Sequence, residues 1–320
     1  MRLSYLQTAR IADNMAEMLQ AAVPTDRMFA VLLRYRRSRR AREALQEVQR
    51  HVAQGEPFYE GFRARPRVWP RYFIELIRCA ERAGLLYAGF REGADHFLKM
   101  ARVHRAAHML WMGPVAIILF GWLVRGLMWT VLVDIQHGLA FYWTCVRGAW
   151  PAALVIVLLV YAPPLRRMFD RACLNLPLIA ETVRDLCLYQ FTTCFRFLYQ
   201  GAVSAPDMVR LAAGAVDNSW LARRLAAAAA AVEQGTTFAE ALRGKMVWPA
   251  GYLARLSEGE LSGQLEEVLE RLARERKEAL EYRVGIVRRA VEPAVGFVTI
   301  FAIALTAYQI GMFLQSRRGG

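Results

Sequence analysis

The segment EGELSG, residues 258–263, sets two carboxylates, Glu258 and Glu260, among the permissive backbone of Gly259 and Gly263 and beside the hydroxyl of Ser262. Paired acids on flexible backbone are what general acid–base catalysis or a hard cation uses. The competing reading is a helix corner: one helix ends on a glycine, and Ser262 or Gly263 caps the next. Glu266 and Glu267 in that helix's first turn then oppose the positive end of its dipole. His104 and His108 share a helical face, but no third ligand and no H-E-x-x-H glutamate accompanies them. The five cysteines (Cys79, Cys145, Cys173, Cys187, Cys194) form no C-x-x-C pair and no zinc spacing; their odd number argues for free thiols in a reducing compartment. Gly244-Lys245 is followed by Met246, so no phosphate-cradling G-x-x-x-x-G-K-[ST] loop exists, and no G-x-S-x-G elbow either. These absences point away from an enzyme, a metal and a cofactor. Glu260 is expected to reach backbone donors or a basic neighbour at a structural corner.

The elements around that corner occur twice, at an offset of about 180 residues. VAQGEPFYEGF (52–62) aligns with VEQGTTFAEAL (232–242), matching Gly55 with Gly235 and Glu60 with Glu240. Pro70 then falls opposite Pro249, Glu81 opposite Glu260, Gly84 opposite Gly263, Leu86 opposite Leu265, and Pro114 opposite Pro293. The first copy lacks Glu258, the first glycine and the serine of EGELSG. Within the second copy, the alanine-rich LARRLAAAAAAVEQG (221–235) reads as one helix stopped by Gly235. Thr237 and Glu240 spell a capping box, and Pro249 opens another helix. From Gly263 a charged helix runs into the last apolar segment, with Glu267 facing Arg271 and Glu270 facing Arg274. No strand pattern of useful length appears, so the expected class is all-α.

Three apolar runs, 109–133, 139–162 and 290–314, carry one charge each: Arg125, Arg147 and Glu292. A hydrocarbon core of about 30 Å needs roughly 20 helical residues, so each run can span. Pro114 and Pro293 open the first and third spans. Residues 1–108 hold 20 Lys/Arg against 11 Asp/Glu, and 163–289 hold 18 against 15. By the positive-inside rule both polar segments are cytoplasmic and the C-terminus is periplasmic; the two arginines of QSRRGG run against that bias. The start, MRLSYLQTAR, lacks the apolar stretch of a cleavable signal peptide. The expected organisation is a first cytoplasmic helical bundle over 1–108 and two transmembrane helices over 109–162, with a second bundle over 163–289. A third transmembrane helix over 290–314 and a periplasmic tail over 315–320 complete it.

A net charge of +14 implies an acidic partner. Arg34, Arg36, Arg37, Arg39, Arg40 and Arg42 are candidates for headgroup contacts on anionic lipid or for docking an acidic protein. No aromatics interleave there as in a single-strand groove, so nucleic acid is not expected. A membrane-anchored metal-dependent protein using Glu258 and Glu260, or a DNA-handling membrane protein using the arginines, are the alternatives.

The combination resembles the inner-membrane platform family shared by type II secretion systems and type IV pili. The family's repeated motif is matched by VEQGTTFAEAL…WP…GELSGQLEEVLERLA, through Gly235, Glu240, Pro249, Gly259, Glu260, Ser262, Gly263, Leu265, Leu269 and Leu272. Its linker and following helix are echoed by LPLIAETVRDLCLYQFTTCFRFLYQGAV (176–203). The family's YP at the start of its membrane helices stands here as Glu292-Pro293 and Gly113-Pro114, and its N-terminal extension is expected to be short or missing. The resemblance implies a non-enzymatic scaffold without cofactor, in the bacterial inner membrane, forming a homo-oligomer. Its implied partners are a hexameric assembly ATPase, pilin or pseudopilin subunits and other inner-membrane assembly proteins.

Overall fold

The computed structural model describes residues 3–34, 38–132, 143, 147 and 177–318. Among these the chain is all-α, without a strand. The first half supplies α1 (Tyr5–Gln20), α2 (Thr25–Arg34), α3 (Arg39–Ala53), α4 (Phe58–Arg63), α5 (Arg71–Arg82) and α6 (Leu86–Leu132). The second supplies α7 (Pro177–Gln200), α8 (Ala205–Gly214), α9 (Ser219–Ala226), α10 (Ala229–Glu233), α11 (Phe238–Leu242), α12 (Tyr252–Ser262) and α13 (Leu265–Arg318). The chain divides into two compact units, Met1–Arg102 with Asp170–Tyr282, and Val103–Phe169 with Arg283–Gly320. The short helices of both halves therefore lie in the first unit.

The halves end their helices with matching backbone devices. Ala22 and Ala202 adopt left-handed φ of 51° and 49°, and the next N–H reaches back five residues, Val23 to the Met18 carbonyl and Val203 to that of Leu198. An alanine there costs of order 1 kcal/mol, which the surrounding packing offsets twice. Gly55 and Gly235, and then Gly84 and Gly263, hold φ between 71° and 88°, open to glycine without strain.

Several local expectations are corrected. The alanine-rich segment is two helices, α9 and α10, not one: Ala228 and Ala229 are buried, and the chain tightens there into an i→i+3 bond from Ala228 to the Leu225 carbonyl. Tertiary burial overrides alanine's propensity. Pro249 does not open α12, which begins at Tyr252 after a left-handed Gly251; Pro70 does sit directly at the N-cap of α5. Ser262 is the last residue of α12 and does not cap the next helix, and α13 begins at Leu265. Arg271 pairs with Glu275, 3.5 Å away, rather than with Glu267.

Both aromatic cores follow one plan. Trp69 stacks on Phe73 (centroids 5.6 Å, 27°), and Trp248 stacks on Tyr252 in the same way (5.0 Å, 20°). Phe62 meets Trp69 and Phe73 edge-on at 4.9 and 5.2 Å. Tyr252 brings a hydroxyl into the second core, and Thr192 on α7 hydrogen-bonds it at 2.8 Å. Every residue of α7 from Cys187 to Phe195 is buried, as expected of a helix covered on all sides. One side of α7 faces α12. The other faces α5, with Tyr189 near Tyr72 and Gly201 so close to Ala83 that a Cβ would lie 2.3 Å from its Cα.

Helices α6, α7 and α13 meet at a polar knot in this unit. Glu92 accepts from the Tyr189 hydroxyl and from Lys277 Nζ at 2.9 Å, and Lys99 pairs with Glu281. The His96 ring lies flat on Tyr189 (5.4 Å, 12°) and edge-on to Tyr72 (4.7 Å).

Most side chains of the 109–133 and 290–314 runs, and nearly all of 139–162, lie outside the described residues. Among the described residues no helix is long and apolar enough to cross a membrane. The helical backbone of α6 continues to Leu132 and that of α13 to Arg318, with Pro293 inside α13.

The knot makes the fold acid-sensitive. Burial pushes the His96 pKa down to about 4 from 6.5, so the unfolded chain takes up this proton first. The stability it confers is complete above pH 6.5 and drains away as pH falls to about 4, by about 3 kcal/mol. Burial raises the Glu92 carboxyl, but Lys277 and the Tyr189 hydroxyl outweigh it and hold it below its usual value; its contribution is lost at still lower pH. Denaturation of the detergent-solubilised chain between pH 7 and 4 should show this slope, and His96→Phe should flatten it.

Candidate functional site

Helices α4 and α11 are six and five residues long, too short to hold themselves, and their first N–H groups have no intrahelical partner. In the second half Glu260, in the last turn of α12, fills that need. Its carboxylate accepts from Phe238 N at 2.6 Å and Ala239 N at 3.1 Å. In the first half Glu81, in the last turn of α5, accepts from Phe58 N at 2.7 Å and Tyr59 N at 2.9 Å. A charged acceptor on two backbone donors at a positive helix end is a strong arrangement. Thr237 adds a cap of its own, accepting from Glu240 N at 3.3 Å. Gly263 and Gly84 then turn the chain into α13 and α6 with φ of 72° and 71°. Leu265 is buried and Leu86 partly so.

The two glycines of EGELSG act differently. Gly263 supplies the left-handed turn, whereas Gly259 lies inside α12 and makes room: a Cβ there would come within 3.0 Å of Val268 on α13. The first half solves the same contact with the sizes exchanged. Ala80 stands at the place of Gly259 and Gly89 at that of Val268, and a Cβ on Gly89 would lie 2.2 Å from that of Ala80. One member of the facing pair must be glycine; either helix can supply it.

The acids of EGELSG are not brought together as a catalytic pair. Glu260 is turned onto backbone donors and Glu258 is exposed. Beside Glu260 lies an open cleft of about 450 Å³, lined by Tyr199, Val232, Phe238, Leu261 and Leu265 among others. One buried thiol and three buried phenols are held protonated. Burial, with Cys79 beside it, pushes the Cys194 thiol well up; burial also raises Tyr72 and Tyr189 well above the usual phenol and Tyr252 to about 12. Among the described residues no group of three His, Cys, Asp or Glu side chains could hold a metal ion.

Glu60 and Glu240 lie in the first turns of α4 and α11, where Glu60 is 3.5 Å from Arg63. Pro114 and Pro293 stand within the helical backbones of α6 and α13. Arg34 ends α2; Arg39, Arg40 and Arg42 are exposed at the start of α3, with Arg39 paired to Glu43 at 2.9 Å. Arg36 and Arg37 lie outside the described residues. Sequence reading did not find the Glu92–Tyr189–Lys277 knot. Glu92 and Lys277 are 185 positions apart, and Arg271 and Leu98 occupy the repeat-equivalent places, so no local pattern or repeat marks them.

The sequence profile of the type II secretion system (T2SS) protein F family matches residues 11–133 and 191–312. The chain is 23% identical to the type II secretion system protein F of Vibrio cholerae, over 96% of this chain and 79% of that protein. It is 22% identical to the protein of that name from Pseudomonas aeruginosa, over 95% and 82%. It is 23% identical to the type IV pilus assembly protein PilC of Thermus thermophilus, over 96% and 80%.

Two outcomes follow for the corner. Glu260→Ala, which strands two helix-start donors, should cost about 2–3 kcal/mol, and Glu81→Ala a similar amount, both read from urea midpoints. Gly89→Ala should be more damaging than Gly259→Ala, because its Cβ would meet a neighbour far closer. Val268→Ala should recover much of the Gly259→Ala loss, and a double-mutant cycle measures that coupling.

Proposed function

The chain belongs to the type II secretion system protein F family, and from that premise we propose that it is a non-enzymatic inner-membrane platform on which a type IV pilus or a type II secretion pseudopilus is assembled. The observation that carries this reading is that the family profile matches twice, once in each half, and each match runs into an apolar segment. The relatives' names point to secretion and to pilus assembly alike. In this reading three spans cross the membrane near 109–133, 139–162 and 290–314, and the short helices of both halves hang into the cytoplasm. A hexameric assembly ATPase docks on them, and pilin-like subunits are drawn from the bilayer alongside the spans. The chain has no nucleotide-binding loop of its own, so the energy comes from the partner.

Helix α13 is the natural coupler. It starts at the Glu260 corner, contributes Lys277 to the knot with α6 and α7, and continues through the last apolar run. The arginines at 34–42 face headgroups or an acidic protein in this scheme. Three of them, Arg39, Arg40 and Arg42, crowd the first turn of α3, where no acid is present and where positive charge opposes the helix dipole. Glu43 meets Arg39 from within the helix, and in this scheme anions outside the helix add to that.

A clean deletion in the native host should abolish surface fibres or secretion, and the tagged chain should co-purify with an ATPase bearing a Walker motif. Unaltered fibres and secretion in the deletion strain would refute the proposal. Alkaline phosphatase fusions should be active after residue 137 and after 316, and inactive after 102 and 282.

A further inference from the structure

Two surfaces of the first unit break the internal repeat, in opposite senses. Along α2 the outward face carries Arg27, Ala30, Val31 and Arg34, all exposed, with the exposed Asp26 at its edge, so a small apolar strip lies between two cations. At the repeat-equivalent positions of α8, Asp207 and Gly214 replace the two arginines, while Arg210 stands in the place of Ala30 and pairs with Glu233. At the corner the change runs the other way. The second half carries Leu261, Glu266 and Glu267 where the first has Arg82, Tyr87 and Ala88.

Leu261 is 83% exposed, unusually so for a large apolar side chain. It borders the cleft of about 450 Å³, whose other walls include Val232, Phe238 and Leu265. Glu258, Glu266 and Glu267 are exposed close by in the chain, and Gln200 holds Glu266 at 3.1 Å, next to Tyr199 of the cleft wall. On a chain of net charge +14 this is a local concentration of acid around an open apolar groove. Its complement is an amphipathic helix with cations flanking a small apolar strip. Arg27 and Arg34 are about 10 Å apart along α2, a span suited to straddling such a cleft.

We propose that these two surfaces are the sides of one interface between copies of this chain: α2 of one copy seats Val31 in the cleft beside Leu261 of the next, with Arg27 and Arg34 on the acids of its rim. A second copy is favoured over a foreign protein because the same chain carries both complementary faces, each at a place where the halves have diverged. Copies that repel through their overall charge are also drawn together only where acid meets base. The contact uses different faces on the two copies, so it is head-to-tail and closes into a ring or extends as an array.

Sedimentation velocity on the full chain in detergent tests this directly. Self-association should weaken at least about tenfold between 50 and 500 mM salt, as screened charge pairs do. Glu266→Lys with Glu267→Lys, or Arg27→Glu with Arg34→Glu, should each leave a monomer with an unchanged circular dichroism spectrum. Mixing the two double variants should restore association, because the intact faces pair with each other and the two reversed faces complement one another in charge. Leu261→Asp should weaken association even at high salt. The proposal is overturned if the wild-type chain stays monomeric in both detergent and nanodiscs, or if the surface variants associate like wild type. It is equally overturned if the mixed variants fail to pair, or if the cleft takes a basic amphipathic peptide while the chain does not bind itself.

Discussion

Two backbone N–H groups at the start of a helix too short to stand alone must find an acceptor, and in both halves a single carboxylate supplies it. Glu81 and Glu260 each sit in the last turn of the longer helix that follows the short one, 21 to 23 residues along the chain from the donors they accept. That placement does two things at once. It fixes α4 and α11, and it fixes the end of α5 and α12, where a left-handed glycine then sends the chain into α6 or α13. The spacing Glu-x-x-Gly is thus an anchor followed by an exit. The direction in which each long helix leaves its bundle depends on that carboxylate having somewhere to bind.

Much of this was legible in the sequence, for physical reasons that can be named. The helix stops at Gly55, Gly84, Gly235 and Gly263 could be read because left-handed backbone is a local demand that glycine meets with little competition. That Glu260 would turn to backbone donors or to a basic neighbour followed from its place near a helix end and from the absence of any partner set for catalysis; the structure gives it the backbone donors. The boundary errors at Pro249, Ser262 and Ala227–Ala228 have the opposite origin. There the outcome was decided by burial against other helices, as at Ala228 and Ala229, or by a second glycine, Gly251, that no rule singled out over its neighbours. The Ala80–Gly89 and Gly259–Val268 contacts were illegible in either half alone, since each is a relation between two helices. They become readable only when the halves are compared, because the glycine changes sides.

The polar knot of Glu92, Tyr189 and Lys277 belongs to neither copy of the repeat. Burying such an ion pair contributes little net stability compared with apolar side chains of equal volume, while losing one partner is costly. Its effect is one of register: only one docking of α7 and α13 on α6 satisfies the carboxylate, the phenol and the ammonium together. The close approach of Gly201 to Ala83 constrains the same seam by shape. Steric fit at one place and charge at another leave the second half a single way to sit on the first within this unit.

The halves thus share what holds each of them together and differ where they touch one another or the solvent. The glutamate clamps, the left-handed caps and the tryptophan stacks are common to both, because each answers a backbone or core requirement that any copy of the module must meet. Exposed positions such as Arg82 and Leu261, or Arg27 and Asp207, answer no such requirement and are free to drift. That drift has nonetheless separated cations from anions, leaving arginine on α2 and glutamate at the start of α13. A helix face with flanking arginines and a corner with exposed glutamates on one chain are surfaces that can meet, each carrying the charge the other lacks.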